Sequence, residues 1–392
     1  MSPYTEHPEV RAILAELRLE ALQNPEFFQR SGIRDAAGRQ YVDLVMEGGG
    51  TLGTALLGYL YVLEQMNFRF LQIAGTSAGS IVALLLAAAG PIDAAKTEWI
   101  IEKMAAKDFS DFIDGGKDAE QLMEALLNED IQKRKKARFT AKNMDDLKEH
   151  YGINPGHAFY EWLSGLLAER GVHTLADLKA LRGRAPEGIN CPPERWARVA
   201  FVAAEVTTGT KVALPDHADL YWPEPDAQNP SHFVRASMSV PVFFYPMRVG
   251  GLPQGEAAQA RWAASANYHG PIPPEVLFVD GGAMSNFPLS LLRPEGETDA
   301  APLFAIKIGQ DRTKYNACDS FGAYAGAILG SMMSFYDNDY LMRYPAMRQS
   351  VGVIDSGGHN WLNFYLSEAD KIDLFVRGAR AAKAFLSKPD VD

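Results

Sequence analysis

"FRFLQIAGTSAGSIVALLLAAAG", residues 68 to 90, decides how this chain folds. A strand-like apolar run leads into Gly75-Thr76-Ser77-Ala78-Gly79, and an apolar helical run follows until Gly90-Pro91 stops it. The G-x-S-x-G spacing fits a serine held on a sharp strand-to-helix turn, the nucleophile elbow. So tight a turn needs small neighbours, and Ala74, Gly75, Ala78 and Gly79 supply them. The helix beginning behind Ser77 aims its positive end at the site and favours negative charge there.

Upstream, the buried strand "YVDLVM" (41–46) runs into "EGGGTLG" (47–53) and a helix carrying Leu56, Leu57, Leu60 and Leu63. Gly48, Gly50 and Gly53 match G-x-G-x-x-G, the spacing that cradles a dinucleotide pyrophosphate. That fold needs a carboxylate at the end of its second strand for the ribose hydroxyls. Here the second strand ends "FLQIAGTS", and a serine elbow occupies the place. The glycines therefore read as N–H donors to a developing oxyanion, with Gly48, Gly49, Gly50 and Gly53 the candidates. A third stretch, "EVLFVDGGAMSNFP" (275–288), puts Asp280 at a strand end with Gly281 and Gly282 behind it. Asp-Gly is also a common turn pair, so this pattern alone does not assign Asp280 to catalysis.

Composition narrows the function classes. Apolar residues make up 47% and charged residues 22%, an ordinary globular balance over 392 residues. A net charge of −11 argues against nucleic acid as a partner. The one tight basic run is "KRKKAR" (133–138), either a solvated helix face or, through Lys133 to Lys136, a lipid-headgroup contact. Eight histidines show no metal-ligand spacing, and Cys191 and Cys318 form no disulfide framework. The first residues lack a secretory pattern, and the longest apolar run, Ile81 to Ala89, is too short to span a bilayer. The expectation is a cytoplasmic protein with peripheral membrane contact, export without a recognisable signal staying open.

In that order, "EGGGTLG", "GTSAG" and "DGG" resemble the patatin-like phospholipase family, as does "ASMSVPVFFYP" (236–246) ahead of the aspartate. The resemblance implies a three-layer α/β/α core and a Ser–Asp dyad lipid acyl hydrolase that needs no metal or other cofactor. By motif position, Ser77 would be the nucleophile, Asp280 its base, and Gly49 and Gly50 the oxyanion donors; Gly75, Gly79, Gly281 and Gly282 support the turns. Phospholipids or other acyl-ester lipids are the expected substrates. Glu47 fits the acidic residue usual before the family's glycines, whereas Leu52 stands where a basic residue is usual. Two other readings stay open. One is an α/β-hydrolase esterase with a Ser77–Asp280–His359 triad, and the other a catalytically weak patatin-like protein that binds lipid or a partner.

Further expectations follow for the architecture. Residues 1–40 form a helical arm and 41–388 the main domain, with 92–195 inserted as a mostly helical cap that shows no convincing strand. "SHFVRASMSVPVFF" (231–244) reads as helix, Lys307 as a strand-edge residue, and the Met/Tyr/Phe-rich 319–346 as core or as an acyl-chain groove.

Overall fold

The computed structural model describes residues 2–26, 28–121, 141–189, 191, 198–293, 301–309, 315, 318 and 321–388. Ten strands occur there: β1 (Gln40–Met46), β2 (Phe68–Thr76), β3 (Gly152–Asn154), β4 (Val199–Glu205), β5 (Thr210–Leu214), β6 (Val242–Phe244), β7 (Met247–Gly250), β8 (Glu275–Asp280), β9 (Leu303–Ile308) and β10 (Val351–Ile354). Eight of them build one sheet in the order β10-β9-β1-β2-β4-β8-β7, with β5 also on β4. The strands from β10 to β4 are parallel; β8, β7 and β5 are antiparallel additions. Every residue of β1 and of β4 is buried, as parallel strands covered on both faces require.

Side chains of β1 alternate between two apolar layers, as a strand's period of two dictates. Val42, Leu44 and Met46 join the larger core under the helices Gly53–Gln65, Ala78–Ala88 and Glu368–Leu386. Val45 faces the other side, with Ala74, Ala200, Leu289 and Leu292, against Tyr340 and Leu341 of the helix Phe321–Arg343. The chain is thus an α/β/α sandwich. Helix Pro8–Gln23 packs on the C-terminal helix, with Tyr4 edge-on to Phe375 at 5.5 Å and Arg380 paired with Glu9.

Three sequence expectations need correction. The region 92–195 is not purely helical: β3 lies within it and pairs in parallel with β6, Gly152 opposite Val242 and Asn154 opposite Phe244. The stretch 231–244 is not one helix; it is helical over Ser231–Ser237 and extended over Val242–Phe244. Pro241 explains the change, since it disfavours helical geometry in the residue before it and cannot donate within a helix. Last, 319–346 is not simply core. Its helix Phe321–Arg343 buries Asp337 but exposes Tyr324, Phe335, Tyr336 and Met342. The basic run Lys133–Lys136 lies outside the described residues.

Candidate active site

Ser77 sits between β2 and the helix Ala78–Ala88 at φ 51° and ψ −119°, a conformation that side chains rarely adopt. The turn closes because Gly75 and Gly79 touch: a Cβ on Gly75 would strike the Gly79 carbonyl, and one on Gly79 would strike Met46 O. The Ser77 amide donates to Ser237 Oγ at 2.9 Å, and that hydroxyl donates to Val202 O at 2.5 Å. Ser80 Oγ donates to Ser77 O at 2.6 Å. The strained residue is therefore held from three sides.

Asp280 ends β8. Its amide donates to Ser239 O at 2.8 Å, and its Oδ1 accepts the Gly282 N–H at 2.8 Å. Gly281 is pressed on the Val202 carbonyl with no room for a Cβ. The Asp280 carboxylate faces the Ser77 hydroxyl closely enough for that hydroxyl to lower its proton affinity. Burial raises the Asp280 pKa to about 6, while Ser77 and the Gly282 amide oppose that rise. A buried carboxylate of such proton affinity, set beside a serine, can take the proton when that serine attacks.

The glycine loop stands beside this pair, with the Gly48 α-carbon so close that a Cβ there would lie 3.2 Å from Ser77 Cβ. Its N–H groups are not equivalent. Gly48 donates to Asn286 O at 3.0 Å, and Gly53 donates to Gly50 O. These two cannot serve an oxyanion, which corrects their place among the donors: Gly48 supplies close approach and Gly53 begins a helix. Thr51 N–H donates to Trp361 O at 2.9 Å. Among the described residues the Gly49 and Gly50 amides have no such acceptor, and Gly50 takes φ 55° where a side chain would hit Trp361 O. Ala78 opens the elbow helix and lines the cavity, where the first N–H groups of a helix lack intrahelical acceptors.

Asn286 grips the loop from below, since its side-chain amide also donates to Gly48 O at 3.2 Å. Glu47, buried under the glycines, accepts the Ile308 N–H at 2.7 Å. Burial pushes its pKa up to about 8, against the pull of half-buried Lys307. Leu52 points into the apolar core.

Ser77 opens onto a narrow apolar cavity of ≈ 60 Å³. Ile81, Val82, Met238 and Phe244 of the main domain line it, and Met104, Phe109, Phe112, Phe159 and Trp162 of the inserted region close it. Phe112 packs on Phe159 at 5.4 Å and on Trp162 at 5.3 Å between ring centres. Among the described residues the cavity's hydroxyls are those of Ser77 and Thr51 and no ionisable side chain lines it, so it suits an uncharged apolar tail.

His359 does not join Ser77. Nε2 lies 2.9 Å from Asp373 and Nδ1 3.9 Å from Asp370, both on the C-terminal helix. Its glycine-rich segment does border the site, because the Trp361 carbonyl holds Thr51 and Phe364 lines the cavity. The residues that sequence reasoning missed are Ser237, Asn286 and Trp361. Two of these act through backbone carbonyls as well as or instead of side chains, which leaves no motif. No group of three His, Cys, Asp or Glu that could hold a metal occurs among the described residues, nor a helix long and apolar enough to cross a membrane.

The model of the patatin-like phospholipase family matches residues 44–293, nearly two thirds of the chain. Uncharacterized protein YqhO of Bacillus subtilis (strain 168) is 25% identical over 351 residues, covering 89% of this chain and 99% of that protein. Among solved structures, VipD from Legionella pneumophila aligns over 91% of this chain and 70% of its own, at 15% identity and TM-score 0.45. The type III effector ExoU aligns over 92% of this chain and 57% of its own, at 14% identity and TM-score 0.37.

Proposed function

The chain belongs to the patatin-like phospholipase family, and from that premise we propose that it hydrolyses fatty acyl esters of phospholipids through a Ser77–Asp280 dyad. Ser77 Oγ attacks the ester carbonyl as Asp280 takes the hydroxyl proton. The Gly49 and Gly50 amides receive the developing oxyanion. The proton on Asp280 then passes to the departing alcohol, leaving an acyl-enzyme. Water attacks that acyl group, giving up its proton to Asp280, and releases the fatty acid with Ser77 restored.

One observation carries the reading: a serine at φ 51° stands beside a buried aspartate and opens on an apolar cavity. The apolar tail of the substrate fills the space under Phe112 and Trp162, and its ester reaches Ser77. A soluble chain with contact to a lipid surface through Lys133–Lys136 remains part of the proposal. The test is release of free fatty acid from phosphatidylcholine vesicles and from a mixed lipid extract, with Ser77→Ala as control. No release by the wild-type chain from either would sink the assignment in favour of a lipid-binding protein.

A further inference from the structure

Asp337 lies on the helix Phe321–Arg343, 52 residues beyond Ser285, and its carboxylate is buried. Both oxygens are spent on one turn. Oδ1 accepts the Ser285 hydroxyl at 2.9 Å and Oδ2 the Phe287 amide at 2.7 Å. From this turn hang two parts of the site. Asn286 holds Gly48 by both its carbonyl and its side chain. Ser285 O accepts the Thr76 hydroxyl at 2.9 Å, one residue before the nucleophile. Three residues ahead of Asn286 the same segment is the short helix Gly281–Ala283, whose cap is Asp280 itself.

We infer that Asp337 is a positioning residue for the reaction: by gripping Ser285–Phe287 it sets the glycine loop against Ser77, and so fixes the oxyanion donors relative to the nucleophile. The inference rests on the proposed roles of Gly49, Gly50 and Ser77. Two converging donors, one on each oxygen, call for a carboxylate, which accepts at both. An amide there has one accepting oxygen and turns its NH₂ toward a donor. Asp337 is not among the residues that line the cavity, nor is any other described side chain of its helix. A displacement of the loop by about 1 Å is enough to cost on the order of 10²-fold in rate.

The experiment uses the full chain with Asp337→Asn, Asp337→Ala and, should the alanine variant not fold, Ser285→Ala. In one aliquot Ser77 is titrated to completion with a fluorophosphonate, so that only intact sites are counted. Turnover is measured in a parallel, unlabelled aliquot on a short-chain p-nitrophenyl ester. The expected result is a kcat per titrated serine lowered about 10- to 100-fold in Asp337→Ala and less in Asp337→Asn, with KM unchanged. Wild-type kcat per titrated site in the folded variants, even with a lower Tm, would make Asp337 a structural tie only and overturn the inference while leaving the proposed function standing. A wild-type chain that neither labels nor hydrolyses would overturn the proposed function, and this inference with it.

Discussion

Thr76 and Asp280 pair with consecutive residues of one strand, Thr76 with Val202 and Asp280 with Ala203 of β4. Because β5 holds the opposite edge of β4 over the same residues, β2 and β8 share an edge and meet end to end. β2 runs parallel to β4 and β8 antiparallel, so both strands point at the same gap, with Ser77 just past one end and Asp280 at the other. A one-residue slip of β8 would turn Asp280 to the other face of the sheet.

That register separates a dyad from a triad. Ser77→Ala should lower turnover by at least about 10³-fold with the fold intact, the scale of nucleophile removal. Asp280→Asn should inactivate as well, because its amide cannot take a proton. His359→Ala should keep most of the rate, since its ring nitrogens face Asp373 and Asp370. Initial rates on a soluble ester, with circular dichroism as a check of folding, decide it. A folded His359→Ala variant as inactive as Ser77→Ala would assign the base to the histidine.

The rate should depend on pH through two buried carboxyls. Asp280 must be ionised to act as base, so kcat/KM should rise with pH through about 6. Glu47, beneath the oxyanion loop, ionises near about 8, and a negative charge there opposes the oxyanion; the rate should fall above that pH. Stability runs the other way from the acid limb. Both groups hold their protons more tightly folded than unfolded, so their contribution is full below the ordinary carboxyl range and is lost as pH rises through about 6 and about 8. Asp280→Asn should therefore raise Tm at pH 8 while abolishing activity, and Glu47→Gln should remove the alkaline fall. An unchanged alkaline limb in Glu47→Gln would exclude Glu47 as its source.

The aromatic end of the cavity predicts a chain-length preference. Trp162 is only partly buried, so truncating it costs less stability than truncating buried Phe112. With Trp162→Ala the slot lengthens, and the preferred acyl chain in a p-nitrophenyl ester series should shift to longer members while kcat on the shortest ester holds. A preference that does not move would place the acyl chain elsewhere.

The core and the serine elbow were legible in the sequence because each rests on a local pattern. Runs such as "YVDLVM" show burial on both faces, and G-x-S-x-G encodes a contact between glycines four residues apart. What was not legible is set by contacts distant in sequence. Whether a glycine N–H is free depends on Asn286, which bonds Gly48 from 238 residues away. The short strand β3 has no run of its own and exists by pairing with β6. The helix Phe321–Arg343 shows apolar composition without saying which side is covered, and much of its aromatic content faces outward.

Leu52 gives the last prediction. The resemblance sets a basic residue at this position, so Leu52→Arg looks like a restoration. The structure points the other way. Leu52 is 5% exposed, packs in the larger apolar core and is not among the residues lining the cavity, although Gly50, Thr51 and Gly53 on either side of it are. A guanidinium sent along the Leu52 direction enters hydrocarbon with no carboxylate provided, at a cost of several kcal/mol for an unpaired buried charge. The expected outcome is a lower Tm and no gain in kcat, read by thermal unfolding and by rates per titrated serine. An increase in kcat at unchanged Tm would mean that the arginine reaches the oxyanion, and that backbone donors alone leave this site short of its full rate.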